Sequence, residues 1–454
     1  MSDQLAARLG AVLRPVLGED VSVANVHLLT GGASRMTYSF DADTGTTRRR
    51  LILRAAPTAE GQFASMELEA AVQGAAAASG APVPHVLVAS NSPAALGSPF
   101  LVCNEIAGET IVRKIARQLD DAGRARLLIQ CGQALAAIHR ARPDTPELLE
   151  RDELAEWRQR LDELGDTTAT FEWAFRWLAG NRPAPGPRTL VHGDFRMGNL
   201  IVDGLGPAAA GPVLAAVLDW EAVHIGDIHE DVAWFCVRAW RFGAPANMAA
   251  GGLGTIEEFV TAYEQAGGAA VDRDALHWWL VLGTLKWGII CRYQAERHLS
   301  GQTRSVELAA IGRRVCETEW DLLDLLFGAP TLPSTRASNI ATTAGAHGRP
   351  TAAELVAAVA EFLEGEVRAT TAGAVNFHAL VAANALRIVE RELLDDTPQL
   401  TQEAFKALGC TDEKELATAI RLGKFDRGEE QILTCLRTVV GHRLAISHPG
   451  YESN

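Results

Sequence analysis

Val191-His-Gly-Asp-Phe-Arg-Met-Gly-Asn-Leu200, followed by Val217-Leu-Asp-Trp-Glu221, is the stretch on which the reading of this chain turns. Each segment is a short apolar, strand-like run beside a polar cluster. Asp194 and Asn199 lie five residues apart, and Asp219 follows twenty residues after Asn199. Gly204, Gly206, Gly211 and Pro212 mark a turn between them, so two adjacent loops are expected to bring three oxygen-bearing side chains to one cleft edge. A carboxylate that can take a proton, next to a carboxamide and a second carboxylate, is the set that a general base and a hard Mg²⁺ ion require.

The spacing is that of a kinase catalytic loop, HxDxxxxN, and Asp219 stands where a kinase carries its metal-binding aspartate. The longer wording, VHGDFRMGNLIVD with AVLDWE and GDIHEDVAW, resembles the aminoglycoside phosphotransferase family of kinase-like enzymes. It is most similar to the branch linked to acyl-CoA dehydrogenases. The resemblance spans roughly Val26–Leu326 and is strongest from His192 to Trp234. It implies an α+β, two-lobed protein-kinase-like fold with a β-rich N-lobe and a mainly helical C-lobe. It further implies Asp194 as catalytic base, Asn199 and Asp219 as Mg²⁺ ligands, and ATP as donor, with GTP left open. His192 is expected to brace the loop, and Asp227 and Asp231 to anchor it. Arg196 either neutralises charge on the transferred phosphoryl group or reaches solvent. Glu221 stands beside the metal aspartate and has a weaker claim to touch metal or substrate.

Upstream, Leu29-Thr-Gly-Gly-Ala-Ser-Arg-Met-Thr-Tyr38 is expected to be a turn between strands. Gly31 and Gly32 carry no side chains to block phosphates, and backbone N–H groups with the Ser34 hydroxyl can reach them. In Leu51-Ile-Leu-Arg-Ala55, Arg54 occupies the place of the kinase lysine that pairs with phosphates. Its expected partner is Glu69, with Glu67 as the alternative. Phe100–Gly108 resembles the hinge between lobes, where the backbone of Asn104 and Ile106 would contact adenine.

The expected organisation is an N-lobe over 1–107, a helical C-lobe over 108–328, a linker over 329–349 and an all-α domain over 350–454. The linker is rich in Pro, Ser, Thr, Ala and Gly. Thr351 and Glu354 have capping-box spacing, which starts a helix there. That last domain is a candidate for homodimerisation or for covering the acceptor cleft.

A formal net charge of −14 argues against nucleic acid and anionic membranes as partners. Seven cysteines without CxxC spacing argue for a reducing compartment and free thiols. Met1–Gly10 has no apolar run of signal-peptide type, and the most apolar window, Trp278–Cys291, is too short to span a bilayer, so a cytoplasmic protein is expected. No P-loop, HExxH or GxSxG motif is present. The expected partner is a small-molecule hydroxyl acceptor. The Trp- and Phe-rich region Val232–Arg297, with Arg238, Arg241, Lys286, Arg292 and Arg297, tilts the reading towards a hydroxyacyl-CoA or similar metabolite. An aminoglycoside or macrolide is the alternative acceptor. A nucleotide-binding pseudokinase that recruits partners is the alternative of another class.

Overall fold

In the computed structural model, every residue is described except 1, 30–34, 57–64, 207–210, 329–349, 398, 427–428 and 454. Gly31, Gly32 and Ser34, and the expected linker, lie outside the described residues. The chain divides into two compact units, Met1–Asp152 with Ala184–Trp279, and Glu153–Pro183 with Leu280–Asn454.

The first unit opens with helix α1 (Ser2–Leu17), then strands β1 (Ser22–Leu29), β2 (Met36–Asp43) and β3 (Arg48–Ala55). Helix α2 (Met66–Ala78) and strands β4 (Val86–Ser90) and β5 (Phe100–Asn104) follow. The five strands form one antiparallel sheet in the order β1-β2-β3-β5-β4. Leu51 and Leu53 of β3, Phe40 of β2 and Phe100 and Val102 of β5 bury their alternate positions against Leu9 and Leu13 of α1. Helix α1 lies outside the expected elements, although Leu5, Leu9 and Leu13 sit four apart. Ser65 caps α2 by accepting from the Leu68 N–H, and Glu67 and Glu69 occupy its first turn.

After β5 the chain passes Gly108, whose φ is +143° and whose absent Cβ would meet Ile201 Cγ2 at 2.5 Å. Only glycine permits this crossing, which Glu109 and Val202 secure with two backbone hydrogen bonds of 2.9 and 3.0 Å. Helices α3 (Val112–Gln118) and α4 (Asp121–Arg140) follow. Later in the same unit come strands β6 (Arg188–Val191), β7 (Leu200–Asp203), β8 (Val213–Val217) and β9 (His224–Asp227). They pair as two antiparallel ribbons, β6 with β9 and β7 with β8.

The second unit is helical. Trp173 from the helix Ala169–Gly180 and Trp320 and Leu323 from Val315–Phe327 share a core with Phe405, Leu416, Ile420, Leu436 and Val440. The final helices, from Gln399 onward, therefore complete a core begun by helices far upstream in sequence. Thr351 and Glu354 do form a capping box at the start of Ala352–Phe362. Towards the end of the expected helical C-lobe, Val306–Gly312 and Val315–Phe327 are separate helices, with Arg313-Arg314 between them. All seven cysteines are free and buried. Among the described residues, no helix is long and apolar enough to cross a membrane.

Candidate active site

Strand β6 delivers the chain to Asp194 through two residues with distinct tasks. Gly193 has φ +79°, and a Cβ on it would stand 2.6 Å from the Ala222 carbonyl oxygen, so a side chain is excluded there. His192 is fully buried, and its Nδ1 accepts the Asp194 N–H at 3.2 Å. Its Nε2 lies 3.1 Å from the Leu218 carbonyl and therefore carries the proton. Burial holds the imidazole below its ordinary pKa despite nearby carboxylates, which suits this neutral bracing tautomer.

The polypeptide then makes a 3₁₀ turn, Met197–Asn199, and enters β7. Asn199 Nδ2 donates to Asp194 Oδ2 at 2.7 Å and to the Asp194 carbonyl at 3.0 Å. That leaves Oδ1 as the oxygen end of the carboxamide. The Leu218 N–H donates to the Asn199 carbonyl at 2.8 Å, which sets Asp219 beside Asn199. Asp219 itself is left-handed, with φ 68°, a conformation that Asp adopts more readily than most residues. The buried Trp220, whose Nε1 donates to the Val217 carbonyl at 3.1 Å, fixes this turn.

A third element supports the loop. Helix α7 (Ile228–Cys236; α5 and α6 being Glu153–Glu163 and Ala169–Gly180) starts at Asp227, which caps it by accepting the His229 N–H. Asp231 and Trp234 are three apart on this helix and so share a face. Asp231 accepts the N–H groups of His192 and Gly193 at 2.7 and 2.9 Å, and His139 Nε2 lies 3.2 Å away. Burial raises this carboxyl, but the hydrogen bonds and charge of His139 and the loop outweigh it, and its pKa is lowered below 3.8. Trp234 Nε1 donates to Asp194 Oδ1 at 2.7 Å. No task was expected of this indole; the sequence signal for it is its three-residue spacing from Asp231.

Asp231→Ala should be strongly destabilising, because it strands two buried N–H groups and His139. The expected cost is about 3–5 kcal/mol near neutral pH, read by urea unfolding. The depressed pKa gives the sign with pH: the contribution is fully present above the unfolded value of 3.8 and fades as pH falls through the folded one. The gap between wild type and variant should therefore narrow in acid.

The sheet side contributes charges. Arg54 on β3 donates through Nη2 to Asp219 Oδ1 at 2.7 Å and through Nη1 to Glu69 Oε2 at 3.1 Å. Glu69, not Glu67, is thus the partner. The two residues point to opposite sides of α2, and Glu67 instead holds Asn91. Burial pushes the Glu69 carboxyl up to about 7, against the pull of Arg54 and Arg35 and with the added push of Asp219 and Glu221. Arg196 folds back so that its Nε donates to Asp194 Oδ1 at 3.0 Å, and its guanidinium lies 4.7 Å from the Trp240 ring centre.

At the end of β5, the Asn104 N–H donates to the His85 carbonyl at 3.0 Å, and the Glu105 N–H to the Arg50 carbonyl at 3.0 Å. For Asn104 this confines any base contact to its carbonyl. The structure thus brings Asp194, Arg196, Asn199, Asp219, Arg54 and Glu69 into one connected set, with Asn104 and Ile106 at the end of β5. Of the basic residues expected around the acceptor, Arg238 and Arg241 belong to this unit. Lys286 is buried against Glu153, 3.3 Å away, and Arg292 pairs with Asp166, both within the second unit.

The five-stranded sheet, with the loops that carry Asp194, Asn199 and Asp219, has a kinase-like fold. A crystal structure from Ralstonia eutropha JMP134, of a protein described as an aminoglycoside phosphotransferase, has the same fold. It gives a TM-score of 0.56 at 20% identity, covering 70% of this chain and 97% of that one. The chain belongs to the Phosphotransferase enzyme family, whose profile matches residues 25–279, more than half of its length. A second profile, a Domain of unknown function (DUF6285), matches residues 369–451. Curated relatives include Acyl-CoA dehydrogenase family member 10 of Mus musculus, 26% identical over 295 residues, 60% of this chain and 27% of the relative. Acyl-CoA dehydrogenase family member 11 of Gallus gallus is 27% identical over 251 residues, 51% of this chain and 31% of the relative. The chain spans under a third of the length of these relatives.

Proposed function

We propose that this protein transfers the γ-phosphoryl group of Mg-ATP to a hydroxyl of a small molecule. The observation that carries the reading is the Asp194 carboxylate held at both oxygens, by Trp234 and Arg196 on one and Asn199 on the other. A base so fixed is oriented before the acceptor arrives, which is what phosphoryl transfer asks of the protein. Asp194 takes the hydroxyl proton. Arg196, reaching over Asp194 from the Trp240 face, counters the charge on the phosphoryl group in flight.

Asn199 Oδ1 and the Asp219 carboxylate are hard oxygen donors on adjacent loops, and they fit Mg²⁺. The ion, when bound, neutralises charge on the β- and γ-phosphates. Arg54, held by Glu69, is assigned to the phosphates, and Gly31, Gly32 and Ser34 are assigned to the same nucleotide. The Asn104 carbonyl and Ile106 N–H are assigned to the base.

For the acceptor we favour a hydroxyacyl-CoA or similar metabolite over an aminoglycoside or macrolide. Two named relatives of this chain are acyl-CoA dehydrogenase family members, which supports an acyl-linked hydroxyl. Arg238 and Arg241, on either side of Trp240, add positive charge near the loop, which suits an anionic acceptor.

Trp234→Phe tests the orientation of the base while keeping the ring. Losing a hydrogen bond to a charged group, worth about 1.5–3 kcal/mol, should lower kcat about 10–100-fold with the nucleotide KM little changed. An unchanged kcat would remove Trp234 from the account.

A further inference from the structure

Arg35 was not among the expected site residues, yet its side chain is only 5% exposed and meets two acids of the site. Its Nη2 faces Glu69 Oε1, and its Nε donates to Glu221 Oε2 at 3.2 Å. Arg54 makes a parallel connection, from Glu69 Oε2 to Asp219 Oδ1. Two guanidinium bridges therefore join Glu69 of α2 to the 219–221 segment, one ending on each of its acids.

The bridges differ in their surroundings. Arg54 ends on Asp219, 31% exposed, whereas Arg35 ends on Glu221, 15% exposed. Arg54 is therefore the bridge that a ligand can reach. If it lets go of Asp219 while staying on Glu69, something else must hold the other Glu69 oxygen and keep α2 in register with the segment. A carboxylate as buried as Glu69 is costly without charged partners. Arg35 meets both needs.

We infer that Arg35 is a positioning residue: the buried bridge Glu69–Arg35–Glu221 holds α2 to the Asp219 segment while the Arg54–Asp219 contact exchanges. This rests on reading the site as a metal–nucleotide site. Arg35 acts through Glu69 and Glu221 and is not itself a phosphate ligand.

Full-length Arg35→Gln, Glu221→Gln, the double variant and Arg35→Lys test it with two readouts. In thermal unfolding without nucleotide, each Gln variant should lower the midpoint, and the double variant should melt no lower than the worse single one. Calorimetric titration with Mg-AMP-PNP should show affinity reduced about tenfold or more in Arg35→Gln, within the range of a coupled site, with Arg35→Lys recovering most of it. Additive midpoint losses overturn the bridge. Equal nucleotide affinity in wild type and Arg35→Gln overturns the role of Arg35 alone. Failure of the wild-type protein to bind Mg-AMP-PNP overturns the nucleotide reading itself, and the unfolding cycle then reports on the bridge separately. Should Arg35→Gln not fold, Arg35→Lys with Glu221→Gln supplies the same comparison.

Discussion

Asp194→Ala should lower acceptor turnover by about 10²–10⁴-fold, the span that a positioned general base supplies, and leave Mg-nucleotide binding in place. The loop does not depend on this carboxylate for its path. Asp231 and His192 fix its backbone, and the Asn199 carbonyl holds the Leu218 N–H. The variant should therefore fold, and its defect should lie in kcat. Asp194→Asn keeps the shape and the bond to Trp234 but cannot take a proton, so it should be nearly as inactive. Turnover at wild-type level in either variant, measured as acceptor-dependent ADP release, would remove Asp194 as the base.

Asp219→Ala should abolish the gain in nucleotide affinity that Mg²⁺ confers. Even outer partners of a metal site cost about 10–100-fold when removed, and a direct carboxylate ligand should cost at least that. The arrangement predicts a second mark. Without Asp219, Arg54 keeps only Glu69 among the described acids it touches, so metal-free nucleotide should bind no worse than in wild type. Calorimetry with and without Mg²⁺ separates the two effects. An unchanged Mg²⁺ dependence would contradict the metal assignment.

Much of this site was legible in the sequence because local spacing encodes it. Asp194, Asn199 and Asp219 are tied by a turn and a two-stranded ribbon, β7 with β8, so their distances along the chain carry their meeting in space. Glu69 was the expected partner of Arg54, and the helix phase of α2 sets Glu67, two residues earlier, on the other side. Arg35, by contrast, was hidden. Its partners are 34 and 186 residues away in sequence, and nothing in its own neighbourhood marks it as buried. Trp234 lay in view, but its task depends on where α7 sits against the loop. The same holds for the core shared by Trp173, Trp320 and Leu436, which is built from long-range contacts that periodicity cannot report. The interruption at Arg313-Arg314 breaks a run whose apolar spacing continues on both sides, so the pattern alone reads as one helix.

Phosphotransfer is read as ADP release from Mg-ATP against a panel of hydroxyacyl-CoAs, aminoglycosides, macrolides and simple hydroxylated metabolites, run beside Asp194→Ala. Acceptor-dependent release is expected with one class, the hydroxyacyl-CoAs being favoured, and is expected to be lost in the variant. Nucleotide binding with no acceptor-dependent release across the whole panel would contradict the phosphotransfer reading and favour a pseudokinase.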